Sequence, residues 1–337
     1  MLRRRKNKVL RFFARALSLL LSFLLLALLI SNILQPLFYK DYYKRADREF
    51  LAPGLVHGLV PQGFCFEETS RVFLSCGYMT NSEKASRIYI TDGNGKNARF
   101  VELFNEDGSP YTGHTGGIAA SESKVFLAND GEGDDNCVWV LDLEELLNNE
   151  TGKMTLKTRF FPETRAACCF IGNGALWVGE FYDEEKYPTK ESHHITAPTG
   201  EENPSLICSY GLDNFNETGI FSTIPDRILS VRGKLQGFAF LDGKIYISTS
   251  YGLNNSHLYV YSEPFSEHSD LKYEIDGVPV SVWCLDSENL IEDITLPPMS
   301  EELAVKNNKV YILYESASQK YVFGNFLRGP FVYSIDG

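Results

Sequence analysis

The sequence contains no G-x-S-x-G nucleophile elbow, no H-E-x-x-H zinc helix and no P-loop. Their absence removes the readily recognised serine-hydrolase, zinc-peptidase and nucleotide-hydrolase chemistries. Basic charge is scarce past the N-terminus: residues 1–15 hold seven Lys or Arg and no acid, whereas the other 322 residues hold 25 basic against 44 acidic side chains. An acidic body disfavours nucleic acid as a partner. The seven cysteines, Cys65, Cys76, Cys137, Cys168, Cys169, Cys208 and Cys284, lack the paired regularity of a disulfide scaffold and the C-x-x-C spacing of a zinc site. Most fall inside apolar runs, as buried free thiols do, and the adjacent Cys168 and Cys169 mark a redox-labile spot.

What is present begins with "ALSLLLSFLLLALLISNIL", Ala16–Leu34, nineteen residues without a charge. A helix of that length crosses a bilayer core. The basic arm before it, residues 1–15, stays cytoplasmic by the charge rule, so the rest of the chain is exported. The expectation is a single-pass anchor in the cell membrane with an extracytoplasmic C-terminal domain; a cleaved signal peptide is the alternative. Residues 35–51, rich in Tyr and basic side chains, read as a juxtamembrane linker at the outer interface.

Residues 52–337 carry a repeat. "PQGFCFEETSRVFLSCGY" from Pro61 returns as "HTGGIAASESKVFLANDG" from His114, "RAACCFIGNGALWVGEFY" from Arg165, "LQGFAFLDGKIYISTSYG" from Leu235 and "SEELAVKNNKVYILYESA" from Ser300. Each copy is an apolar run, a tight polar turn and a second run, the pattern of a hairpin. Their second strands, from Arg71, Lys124, Ala175, Lys244 and Lys309, start 51 to 69 residues apart, which suits four short strands and loops. Third and fourth strands can be read between them, among them "GIFST" (219–223) in the third unit and either "VSVWCL" (280–285) or "LIEDITL" (290–296) in the fourth. The pattern predicts an all-β, five-bladed β-propeller. Six blades are the alternative if residues 183–205 or 262–288 hide another unit. The last unit is one strand short, and residues 52–60 are expected to close the ring.

In such a ring the starts of the first strands and the ends of the second strands share one rim. That rim gathers Gln62, His114, Arg165, Gln236, Glu301 and Glu302 with Tyr78, Asp130, Glu132, Glu180, Tyr182, Tyr251 and Glu315. The expected site is this polar mouth. Glu302, Glu315 and Glu180 are the candidate catalytic carboxylates, because grouped carboxylates raise one another's pKa. Gln62, His114, Arg165, Gln236 and Glu301 are candidate ligand contacts. The opposite face is expected to offer tight turns and little concavity. The pair His193–His194 lacks a metal-ligand spacing and reads as part of a solvated loop. "NDGEGDDN", Asn129–Asn136, has the composition of a calcium loop without the closing Glu, so a plain turn is expected there.

The first unit, "PQGFCFEETSRVFLSCGYMTNSEKASRIYITDGNGK", resembles the opening blade of the plant and bacterial type glutaminyl cyclases through Gln62-Gly63, Gly77-Tyr78 and Ser86-Arg87. The resemblance implies a five-bladed propeller that turns N-terminal glutamine into pyroglutamate; Leu74-Ser75 stand where that family places a glutamate. The chain also has the general look of lactonase-type propellers, which hold calcium through an acidic ring; Glu301, Glu302 and Glu315 would supply it, making calcium a possible cofactor. Three functions remain open: a module binding a small polar or cationic ligand, a peptide end or a glycan; a cyclase-like or hydrolase-like enzyme; and a structural interaction module.

Overall fold

The computed structural model describes residues 2–337, with side chains from Arg11 onward; Met1 and the arm side chains before Arg11 lie outside the described residues. A helix runs from Leu2 to Phe38, and its Arg11–Phe38 portion is long and apolar enough to cross a membrane.

The rest is a five-bladed propeller, each blade built on four antiparallel strands. From the axis outward, blade 1 is Leu59–Glu67, Val72–Met79, Arg87–Asp92 and Arg99–Phe104. Blade 2 is Gly117–Ala120, Lys124–Asn129, Cys137–Asp142 and Thr158–Phe160. Blade 3 is Cys168–Gly172, Ala175–Gly179, Ser205–Gly211 and Arg227–Val231; blade 4 is Leu235–Leu241, Lys244–Thr249, Ser256–Ser262 and Leu290–Leu296. Blade 5 is Ser300–Lys306, Lys309–Tyr314 and Phe331–Asp336, completed by Asp47–Leu51.

Closure by an N-terminal strand matches the expectation, but the strand is Asp47–Leu51, not a segment of 52–60. Residues from Leu59 onward already belong to the inner strand of blade 1. The physical reason is side-chain pattern: Phe50 turns into the core against Phe64 and Phe73, and Asp47 bonds Lys309 at the outer edge. The segment read as an interfacial linker is also partly core, because Tyr39 and Tyr42 are buried between blades 4 and 5.

One further reading needs correction, and one open alternative is resolved. "GIFST" is not a strand; the outer strand of blade 3 is Arg227–Val231. In blade 4 the outer strand is Leu290–Leu296, while Val278–Cys284 pairs parallel with Arg227–Val231 of blade 3. The insertion 262–288 therefore widens a neighbouring blade and hides no sixth one.

The turns follow from their residues. Asn173-Gly174, Asp242-Gly243 and Asn307-Asn308 all adopt positive φ, the conformation that two-residue hairpin turns require. Apolar clusters fill the seams between blades: Leu74 and Leu127 between blades 1 and 2, Phe126 and Leu176 between 2 and 3, and Trp177 and Phe238 between 3 and 4. Leu258 and Ile312 lie between 4 and 5, and Phe64 and Leu313 between 5 and 1. The inner strands crowd the axis so closely that a Cβ on Gly117 would lie 2.6 Å from the Cys169 amide, and one on Gly237 would lie 2.4 Å from the Glu302 Cα. Small residues at these starts are a steric requirement.

All seven cysteines are buried and unpaired. Cys168 and Cys169 point to opposite faces of their strand, into separate clusters, and burial pushes both thiols well up. They are therefore poor candidates for oxidation, contrary to the expectation for this pair.

Candidate functional site

Blade 5 starts with Ser300-Glu301-Glu302, and the two carboxyls diverge. Glu302, expected at the mouth, is wholly buried on the axis. Its Oε2 accepts the backbone N–H groups of Phe64 at 2.6 Å and Ile118 at 2.8 Å, and its Oε1 accepts that of Cys169 at 2.9 Å. Those donors belong to blades 1, 2 and 3, and Gly237 of blade 4 packs on the Glu302 backbone. Burial pushes this carboxyl well up, opposed by the three backbone donors. With both oxygens engaged by N–H donors from three blades, Glu302 acts as a central tie between blades.

Glu301 turns toward the mouth, where its partner is Glu315 at the end of the second strand. The two carboxyls interact at close range, and that interaction favours the proton on Glu301 over Glu315. Burial is the main cause that raises both: Glu301 is pushed well above the carboxylate range and Glu315 to about 7. Glu315 is the lower because Tyr321, Gln62, Lys320 and Glu301 all favour its charged form. Gln62 Nε2 donates to Glu315 Oε2 at 2.8 Å.

Above this pair the connection Ser316–Pro330 folds over as a lid. The Tyr321 hydroxyl lies 3.2 Å from that of Tyr78, and the Lys320 ammonium donates to the Tyr78 hydroxyl at 2.6 Å. His114 packs its ring 5.1 Å from that of Tyr78 and remains exposed. Partial loss of hydration in the mouth, with the Lys320 charge adding to it, pulls His114 below the ordinary imidazole value. Across the mouth Phe181, Tyr187 and Tyr251 form an aromatic group, with Lys186 and Lys234 over the Tyr251 ring.

Gln62, Glu301 and Glu315 thus meet, with His114 beside them. Arg165 and Gln236 stand apart: Arg165 Nε donates to Asp130 at 2.7 Å, and Gln236 Nε2 donates to the Ser250 carbonyl at 3.4 Å. Glu180 does not reach the carboxyl pair. It is buried, accepts the Leu206 N–H at 3.0 Å and bonds His193 Nδ1 at 2.8 Å. His193 was expected in a solvated loop; it is buried, and its Nε2 lies 3.3 Å from Glu163. Burial pulls His193 down, but the bonds to Glu163 and Glu180 prevail and raise it. Its bond to Glu163 is the main reason that Glu163 falls to about 2. This clasp ties the connection 183–205 to blade 3.

The turn face is less flat than expected. A cavity of about 390 Å³ opens at the axis there, lined by Phe66, Glu68, Ala119, Phe170, Phe240 and Val305 among others. Among the described residues no group of three or more His, Cys, Asp or Glu side chains is arranged to hold a metal ion.

The sequence points to the long connections 183–205 and 316–330 as rim loops but singles out none of Tyr321, Lys320 and Tyr187, nor Glu163. All lie on long connections or outer segments, whose path no strand period dictates. The lid's run of aromatic and basic residues, "KYVFGNFLRG", was the available signal.

No family model and no curated protein sequence matches this chain. Among solved structures, a glucose-dehydrogenase-type oxidoreductase from Thermus thermophilus aligns at TM-score 0.40 and 11% identity, over 87% of this chain and 99% of that one. BamB from Moraxella catarrhalis aligns at TM-score 0.33 and 9% identity, over 82% and 83%. A chain of a nidogen/laminin complex aligns at TM-score 0.37 and 11% identity, over 76% and 73%. The five-bladed assignment rests on the strand order itself.

Proposed function

We propose that the protein is a membrane-anchored, extracytoplasmic propeller whose mouth binds a small ligand bearing an ammonium group. The observation that carries this reading is the buried Glu301–Glu315 pair beneath Tyr321 and Tyr78. Two carboxyls confined together repel when both are charged, and a cation between them relieves both that repulsion and their lost hydration. Tyr78, Tyr321, Tyr187 and Tyr251 supply ring faces for the cation and its stem. Gln62 and His114 add amide and imidazole groups for a polar substituent. The basic arm ahead of the apolar helix supports export of the propeller.

A second reading is acid–base catalysis, favoured by one observation: Glu315 is raised to about 7, near the working pH of a general base. On the cyclase resemblance, the base would take a proton from the N-terminal amine as it attacks the side-chain amide carbon and return it to the amide nitrogen, whose C–N bond breaks to release ammonia.

The test is a thermal-shift titration at pH 8 with primary amines, short N-terminal glutaminyl peptides and their uncharged acetylated forms. Ammonium-bearing ligands should raise Tm, acetylated ones should not, and Glu301→Gln with Glu315→Gln should abolish the response. No shift with any amine would reject the binding reading; ammonia release from glutaminyl peptides would establish the catalytic one.

A further inference from the structure

The apolar helix does not leave the propeller freely. Asn32 sits in the last turn of the apolar run, and its side-chain amide is bonded on both sides to the lid: Nδ2 donates to the Asn325 carbonyl at 2.8 Å, and Oδ1 accepts the Arg328 N–H at 3.0 Å. A helix rises 1.5 Å per residue and needs about 20 residues to cross the hydrocarbon core. A span beginning near Arg11 therefore brings Asn32 to headgroup depth, and the lid with it.

The lid's exposed side chains suit that depth. Val322 and Phe323 are each 70% exposed, and Val56, on the neighbouring segment, is 79% exposed. Gln319 joins the two segments by donating to the carbonyls of Leu55 and Val56 at 3.3 and 3.1 Å. Neither Ser316–Pro330 nor Ala52–Phe66 contains an acidic residue, although the body as a whole is acidic. Lys320 and Arg328 are both exposed on the lid. Apolar tips flanked by basic side chains, with acids excluded, are the composition of a surface that enters an anionic lipid headgroup layer.

We propose that the blade 5 to blade 1 sector of the mouth rim, with Val56, Val322 and Phe323 at its tip, is seated in the bilayer that the helix spans. The inference concerns where the mouth faces and does not depend on what it binds. It makes the lid over Glu315 a membrane-contact element, since Tyr321 and Phe323 belong to one short segment.

The test uses the full chain reconstituted into vesicles of phosphatidylcholine and phosphatidylglycerol. An environment-sensitive dye is placed at Phe323→Cys, at Val322→Cys as a second variant, and at Glu122→Cys on the exposed turn face as reference; the seven native thiols are buried. The lid dyes should be quenched several-fold more by lipid-borne nitroxide than the reference, and less by aqueous iodide. Equal quenching at lid and reference would overturn the proposal. Shielding from iodide without lipid quenching would overturn it too, by showing a protein partner on this surface.

Discussion

Glu301 and Glu302 are neighbours in the chain but have separate partners: Glu301 interacts with the Glu315 carboxyl under the lid, whereas Glu302 accepts backbone N–H groups from blades 1, 2 and 3. Both are buried and both are raised, yet only Glu301 has a second carboxyl beside it. The proposed binding role and the tie between blades thus fall to adjacent residues, and substitutions separate them.

Glu302→Gln replaces an acceptor oxygen by an NH₂ donor and sets it against a backbone donor. Leaving a buried backbone donor without its acceptor costs about 2 kcal/mol. Urea unfolding should show a loss of that order, with the mouth's ligand response retained in the folded fraction. A change within about 0.5 kcal/mol would mean that the central tie contributes little.

Stability should fall as pH rises through the range where Glu315 titrates. Its folded pKa, about 7, lies above the ordinary carboxyl value of 4.5, so the folded state binds the proton more tightly than the unfolded one. The stabilisation is complete below the ordinary value and is lost as pH climbs through 7. Between pH 5 and 8 the unfolding free energy of Glu315→Gln should be flatter than that of the parent by up to about 3 kcal/mol. Parallel pH profiles for the two proteins would contradict the assignment.

The His193 clasp should have its own pH signature. Its pKa is raised, so its contribution is complete below the ordinary imidazole value of 6.5 and fades as pH rises through the folded value. Hydrogen exchange in residues 183–205 should be faster in His193→Ala than in the parent at pH 6, with the two converging toward pH 9. A difference that does not depend on pH would leave the clasp a matter of packing alone.

Removal of the closing strand should expose the edge of blade 5. A chain beginning at Lys40 keeps Asp47–Leu51 and the Phe50 contacts, whereas one beginning at Ala52 loses both. The shorter chain should lose several degrees of Tm and aggregate, because an unpaired strand edge recruits other edges. Equal melting of the two would show that closure is dispensable.

The sequence by itself determined the repeat, the hairpin turns, the small residues at the axis and the apolar helix. Each follows from local rules: period-two alternation, positive φ at Asn-Gly and Asp-Gly, and a charge-free run long enough to span. It also brought Gln62, Glu301 and Glu315 to one rim, since ring topology alone does that. Tertiary structure decided the rest. Which of two adjacent glutamates faces the axis depends on the irregular pairing between Ser300 and Leu303, which strand alternation does not foresee. Which edge strand completes blade 4, and whether Asp47–Leu51 or a later segment closes the ring, depends on competition among apolar runs of similar quality. The long connections that carry Tyr321, Tyr187 and His193 have no period at all, so their positions are set only by the side chains they meet across the mouth.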